Sequence, residues 1–359
     1  MIKKILFLSV IILIVTILSA CGTQANNNSS ENSDTQTRIL NVMTHDSFTA
    51  NENLILQFEK ENNVKINFLL SGDTGAALNR AILTKESPQA DVFFGVDNTF
   101  LSRALKEDIF EPYNSPVLEN IRESFRIDPE NRVLPVDYGD VCINFDKAYF
   151  SEKGLKIPSS LSDLLLPEYR GLLVVENPAT SSPGLAFMFT TIAEFGEEGY
   201  LQFWNDLREN DVVVVNDWET AYYSNFSASS GKGNQPMVVS YGSSPPAEVI
   251  FAETALDDSP TASIIAPNTC YRQIEFVGIL RGTQQRELAE RFVDFLLDIP
   301  FQEDLPMQMF VFPANQNAKL PIEFEKFAQI PEKPAILDMD LIDRNREKWI
   351  QDWTITVLR

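Results

Sequence analysis

Ile39-Leu40-Asn41-Val42-Met43 reads as a short apolar strand, and the pattern that follows it decides the fold. Asn53 to Asn63 reads as a helix with Leu54, Ile55 and Phe58 on one face. Val64 to Leu70 is a second strand, Gly75 to Lys85 a second helix and Ala90 to Val96 a third strand, with a helix around Phe100 to Lys106. Strands alternating with helices in this order predict a largely parallel sheet covered on both faces. A second series follows Leu134-Pro135-Val136-Asp137-Tyr138-Gly139, with strands at Leu172 to Glu176, Val212 to Val215 and Met237 to Tyr241. Their helices begin near Ser182, Asp217 and Pro246. Ile274 to Leu280 is then a strong strand, and Gln284 to Leu297 a strongly amphipathic helix. The expected fold is α/β, two-lobed, with the chain crossing to the second lobe and later returning. In open α/β sheets ligands bind at the carboxyl ends of strands, so two facing lobes make a cleft.

The ends set the compartment. Lys3 and Lys4 precede an apolar run from Ile5 to Leu18, and Leu18-Ser19-Ala20-Cys21 follows. That is the pattern of a secretory signal peptide, and the stretch resembles a bacterial lipobox in which Cys21 is diacylated and becomes the mature N-terminus. An uncleaved N-terminal anchor is the alternative; either places the body outside the cytoplasm. Gly22 to Thr37 is too polar to offset its ordering entropy and reads as a flexible tether. About 320 residues remain, more than one simple core holds, so two lobes are expected: residues 39–137 with 275–359, and residues 138–274.

The formal net charge is -22. Without Lys3 and Lys4 the 29 basic residues become 27 against 51 acidic ones, a net of -24. Such a surface argues against nucleic acid and anionic lipid, and suits a cationic ligand or basic docking faces on a partner. Beyond Cys21 only Cys142 and Cys270 remain, too few for a disulfide scaffold or a cysteine-rich metal site.

Catalytic constellations are absent. The single histidine, His45, lies in Thr44-His45-Asp46-Ser47, where neighbours on a strand point to opposite faces and cannot form a Ser/His/Asp triad. The chain has no G-x-S-x-G elbow, H-E-x-x-H pair or phosphate-binding G-x-x-x-x-G-K-[ST] loop. No enzymatic activity, metal or cofactor is expected.

Binding signals are stronger. Asn177-Pro178-Ala179-Thr180-Ser181-Ser182-Pro183-Gly184 and Val239-Ser240-Tyr241-Gly242-Ser243-Ser244-Pro245-Pro246 each end a strand and open a helix. Such turns cap helices, and the same geometry aims amides and hydroxyls at a cleft, where it favours oxygen anions. Asp73-Thr74-Gly75 precedes a helix in the same way. Trp218, in Asn216-Asp217-Trp218-Glu219-Thr220-Ala221-Tyr222-Tyr223, is either a core residue or a ligand platform at a strand's carboxyl end.

These residues together resemble the thiamine-binding proteins of bacterial ABC importers, within the two-lobed, type 2 solute-binding class. The resemblance runs from about Leu40 to the C-terminus. It rests on Thr44 to Phe48, Ala90 to Asn98, Val136 to Gly139, Thr180 to Leu185, Trp218 with Ala221-Tyr222, and Ser240-Tyr241 with Ser243-Ser244-Pro245. It implies thiamine or its phosphate esters as ligand, and an ABC permease with its ATPase as partners of a monomer tied to the membrane by lipid alone. It places ligand contacts at Asp73, Thr74, Ser181, Ser182, Trp218, Tyr241, Gly242, Ser243 and Ser244, with His45, Asp46 and Phe310 at the same cleft. His45 stands where that family has a tyrosine, and Phe310 where a tryptophan is expected. A thiazolium cation and a flat pyrimidine suit aromatic faces through cation–π and stacking contacts. Other type 2 ligands remain open at this point. Tyr222-Tyr223 suits ferric ion, and cleft carboxylates suit a polyamine; a phosphonate or a sensor role are further alternatives.

Hinge movement is expected at about Val136 to Asn144 and Asn268 to Phe276, strands that should run side by side and antiparallel. Cys142 and Cys270 sit on these strands. The reading favours two separate buried thiols, with a disulfide as the alternative.

Overall fold

The computed structural model describes residues 37–230 and 232–359, so the signal segment, Cys21 and nearly all of the tether lie outside the described residues. The first elements are β1 (Arg38–Thr44), α1 (Glu52–Asn62), β2 (Val64–Leu70), α2 (Thr74–Leu83), β3 (Val92–Asp97), α3 (Leu101–Lys106) and β4 (Phe110–Glu111). Next come β5 (Leu134–Asp146), α4 (Lys147–Lys153), β6 (Leu173–Glu176), α5 (Ser182–Glu209) and β7 (Val213–Val215). A π-helical turn at Thr220–Asn225 leads to α6 (Ser227–Ser230), β8 (Met237–Tyr241), α7 (Pro245–Ile250), β9 (Thr261–Ile264) and β10 (Tyr271–Leu280). The chain ends with α8 (Arg286–Leu297), α9 (Ile299–Met309), β11 (Phe312–Pro313), α10 (Ile322–Phe327) and α11 (Met339–Leu358).

Among the described residues the strands form one eleven-stranded sheet in the order β2-β1-β3-β10-β5-β8-β6-β7, with β4 on β10 and β9 and β11 on β5. The flanks are parallel: β1 with β2 and β3, and β6 with β7 and β8. The centre is antiparallel, because β5 and β10 run against each other and against β8 and β3. The parallel expectation therefore holds for each flank and not for the middle, where the chain passes between them. β5 and β10 are buried along nearly their whole length, the polar residues Asp137, Asp140, Gln273 and Glu275 included.

Cys142 and Cys270 are disulfide-bonded, with Cα atoms 4.4 Å apart. The expectation of separate thiols is thus overturned. Val141 pairs with Tyr271, which brings the next residue outward on each strand face to face at the spacing of a non-hydrogen-bonded antiparallel pair.

The helices follow local signals. Asn51 accepts from the Asn53 amide at the start of α1, and Asn63 closes that helix in the left-handed region. Asp73 caps α2 through the Thr74 amide, and Asp338 caps α11 through Leu341. The last helix packs far from its neighbours in sequence: Trp353 meets Trp204 of α5 edge-on at 5.3 Å, and Trp349 meets Phe189 at 6.0 Å. Arg346 of the same helix is buried; its Nε donates to the Thr99 carbonyl and its guanidinium lies 4.3 Å from the Phe100 ring centroid. α11 therefore ties α5 to the turn that follows β3.

Candidate functional site: an aromatic cavity at the strand ends

The carboxyl ends of β1, β7 and β8 and the N-termini of α2 and α5 converge on one partly open cavity. His45 and Ser47 reach it from the turn after β1, Asp73 and Thr74 from the start of α2, and Ser182 and Pro183 from the start of α5. Trp218, Tyr222 and Tyr223 come from the segment after β7, Tyr241 and Ser244 from the end of β8, and Ala247 from α7. Gln273 and Glu275 of β10 and Met309, Phe310 and Val311 at the end of α9 complete the wall.

The aromatic side is built around Trp218. Its indole N–H donates to the Ser240 hydroxyl at 3.0 Å, and Ser240 is 2.9 Å from the Ser244 hydroxyl. The ring stacks on Tyr222 at 5.1 Å and meets Tyr223 and Tyr241 edge-on at 5.5 and 6.4 Å. Tyr222 is held in turn by a 2.7 Å hydrogen bond to Glu248, and burial, followed by the Glu248 charge, pushes its phenol well above the usual value. Tyr241 lies against Gly139 of β5, where any Cβ would collide with its ring. Gly95 serves His45 in the same way, and its φ of +102° is one that side chains rarely adopt. Phe310 ends α9 in the left-handed region at φ +56°, which turns it toward the exposed Phe251, 5.3 Å away.

The polar side is acidic and deeply buried. Burial raises Asp73 to about 6, opposed by Ser181 and the Thr74 amide. Burial also raises Asp97, while its bonds to Ser182 and Thr99 act against that shift. Glu275 is pushed up to about 8, first by burial and then by Asp97. Asp137 is also raised well above the usual carboxylate range, by burial and by the neighbouring Glu275. Burial lowers His45, which stands 3.5 Å from a Glu275 oxygen, and leaves it neutral at pH 7.

Of the residues singled out from the sequence, His45, Asp73, Thr74, Ser182, Trp218, Tyr241, Ser244 and Phe310 line this cavity together. Asp46, Ser181, Gly242 and Ser243 do not line it. Asp46 accepts from the Gly72 amide and braces the turn ahead of α2. Gly242 is clasped by backbone bonds, donating to Asp140 and accepting from Gln329. Ser181 and Ser243 are wholly buried behind the wall. Sequence reasoning passed over Gln273 and Glu275, although polar residues at every second position of an apolar strand, Gln273 and then Glu275, were a legible sign of one polar face.

Comparison with known proteins supports the same description. A thiamine-binding periplasmic protein of Brucella suis biovar 1 (strain 1330) is 28% identical over 330 residues, covering 89% of this chain and 92% of that protein. A solved periplasmic thiamin binding protein superposes with a TM-score of 0.77 at 25% identity, covering 89% of this chain and 96% of the other. The apo ferric ion-binding protein A of Pasteurella haemolytica shares the fold, with a TM-score of 0.69 at 18% identity over 89% of this chain and 98% of that one. The architecture is that of the two-lobed type 2 periplasmic binding proteins, α/β with the ligand cleft between the lobes. The sequence profile of the bacterial extracellular solute-binding proteins matches residues 87–330, two thirds of the chain and most of the elements around the cavity, and the chain belongs to that family.

Proposed function

We propose that this chain is the extracytoplasmic solute-binding component of an ABC importer, that it binds thiamine or a thiamine phosphate ester in the cavity, and that it hands the ligand to a permease driven by an ATPase. The observation that carries this reading is the pairing of a Trp218–Tyr241 aromatic wall with the N-termini of α2 and α5 in one cavity. Aromatic faces suit the thiazolium and pyrimidine rings. The helix N-termini suit the hydroxyethyl or phosphate end. Asp46, Ser181, Gly242 and Ser243 belong to the same ligand set in this reading, as the layer that supports the wall. The lobes are residues 39–137 with 275–359, and 138–274. They close on the ligand about β5 and β10, which small-angle scattering would register as a smaller radius of gyration on binding.

The chain acts as a monomeric carrier and not as an enzyme. Cys21 carries the lipid that holds it to the outer face of the cell membrane; a mature-protein mass lacking diacylglycerol would exclude that anchor. The ferric reading is weighed down by Tyr222, whose hydroxyl is bound to Glu248 and whose burial makes an iron-binding phenolate costly. Calorimetric titration with thiamine, thiamine phosphates, spermidine and ferric citrate tests the assignment. Saturable binding of a thiamine compound supports it, and binding of ferric citrate or spermidine alone overturns it.

A further inference from the structure

Asp97, Glu275 and Asp137 stand at one level on three neighbouring strands: Glu275 of β10 pairs in register with Asp97 of β3 and with Asp137 of β5. The pairing becomes irregular immediately beyond Glu275 toward β5, and one residue later toward β3. Asp97 and Asp137 are fully buried and Glu275 is 7% exposed. Of the three, only Glu275 lines the cavity. Its Oε2 and both oxygens of Asp137 have no hydrogen-bond partner apart from each other's carboxyl, and the Nε2 of His45 has none.

The surroundings supply no standing cation. The groups facing Glu275 are His45 after β1, Asp73 at the head of α2, Asp97 on β3, Asp137 on β5 and the Tyr241 phenol on β8. Arg272 of β10 is committed to Asp140 at 2.8 Å, and Arg346 acts on Asp97 from α11. A carboxylate so buried and so surrounded is costly unless it is paired or protonated.

We propose that Glu275, backed by Asp137, is the group that selects a cationic ligand in this cleft, and that the cation is taken up in exchange for a proton. In the empty cleft the Glu275 carboxyl holds its proton. When the ligand cation enters, the O–H bond breaks, the proton leaves to solvent, and the carboxylate remains as the counter-ion. The inference rests on the thiamine reading, since the thiazolium carries a fixed positive charge through the neutral pH range. It explains why a carboxyl with no cationic partner lines the cavity opposite its aromatic side. The value of about 8 for Glu275 in the empty protein agrees with a group protonated at neutral pH. Affinity then rises with pH, by up to tenfold per unit, and levels off near pH 8 where the empty site ionises unaided. Asp73, at about 6, has already ionised over the upper part of that range, and His45 stays neutral there.

The test is calorimetric titration of the mature protein with thiamine at pH 7, in buffers of different ionisation enthalpy, repeated between pH 6 and 9. The expected result is release of nearly one proton per thiamine bound and an affinity that climbs to a plateau near pH 8. Glu275→Gln should bind at least tenfold more weakly, release no proton and lose the pH dependence; Asp137→Asn should release a smaller fraction of a proton. Because the wild-type buffer dependence needs no variant, a misfolded substitution leaves the test intact. Tight thiamine binding without proton release overturns this inference and leaves the thiamine reading standing. No thiamine binding by the wild type at any pH overturns that reading and this inference with it.

Discussion

Cys142 and Cys270 face each other across β5 and β10, joined at a Cα separation of 4.4 Å, and so pin together the two strands on which the chain passes between the flanks of the sheet. The bridge closes a loop of 128 residues. In the chain-entropy model a loop of that length stabilises the fold by about 5 kcal/mol, with strain lowering the figure. Replacing both cysteines by serine should therefore cost on the order of 3–5 kcal/mol in urea unfolding. Both cysteines are fully buried, so mild reductant should leave the bridge intact until the protein is unfolded. Two alkylatable thiols in freshly denatured, unreduced protein would contradict the linkage.

Trp218 owes its orientation to Ser240, and Ser240 to Ser244. Trp218→Ala should weaken thiamine binding by roughly tenfold or more, the loss of about 1–2 kcal/mol of ring contact. Ser240→Ala keeps the ring and removes its tether, and should weaken binding by a few-fold, about 1 kcal/mol or less. Calorimetry on variants of unchanged thermal stability measures both. Wild-type affinity in each would remove the tryptophan from the ligand wall.

Arg346 couples the last helix to the turn after β3, through Thr99 and the face of Phe100. A hydrogen bond from a buried cation and a cation–π contact together suggest about 2–4 kcal/mol for Arg346→Ala. Arg346→Lys should recover part of this, since an ammonium is a point charge without the planar fork. Urea unfolding gives the comparison. A loss under about 0.5 kcal/mol for alanine would mean that Trp349 and Trp353 hold α11 by themselves.

The raised carboxyls also set how the ligand-free protein responds to pH. Glu275 at about 8 and Asp73 at about 6 hold protons that the unfolded chain has released by pH 5. Their stabilisation is complete below the unfolded values near pH 4 and is lost as pH rises through 6 and then 8. Asp137 and Glu176, raised well above the ordinary range, extend the trend, while His45, held low, opposes it up to about pH 6.5. Stability should fall from roughly pH 5 to pH 8, by up to ~1.4 kcal/mol per unit for each group. Glu275→Gln should flatten the upper part of the slope. A profile that rises across this window would show that the folded state already carries these charges.

Much of this protein is written locally. The alternation of strand and helix, the caps at Asn51 and Asp73, and the Ser-Pro turns at Ser182 and Ser244 depend on residues a few positions apart, so their chemistry is visible without a fold. The cavity was legible to the same extent: turns at the carboxyl ends of strands must share one edge of the sheet, and Trp218, Tyr241 and Thr74 were found there for that reason. What the sequence alone could not determine lies across distant strands. Whether Asp97, Glu275 and Asp137 share a level, or Cys142 meets Cys270, depends on the register of β10 against β3 and β5. A shift of one residue would turn each of those side chains to the other face. The partners of the α11 tryptophans are likewise decided by tertiary packing, which places them on α5. Local propensity writes the elements and their ends; long-range register, set by burial of the whole sheet at once, decides which charges meet.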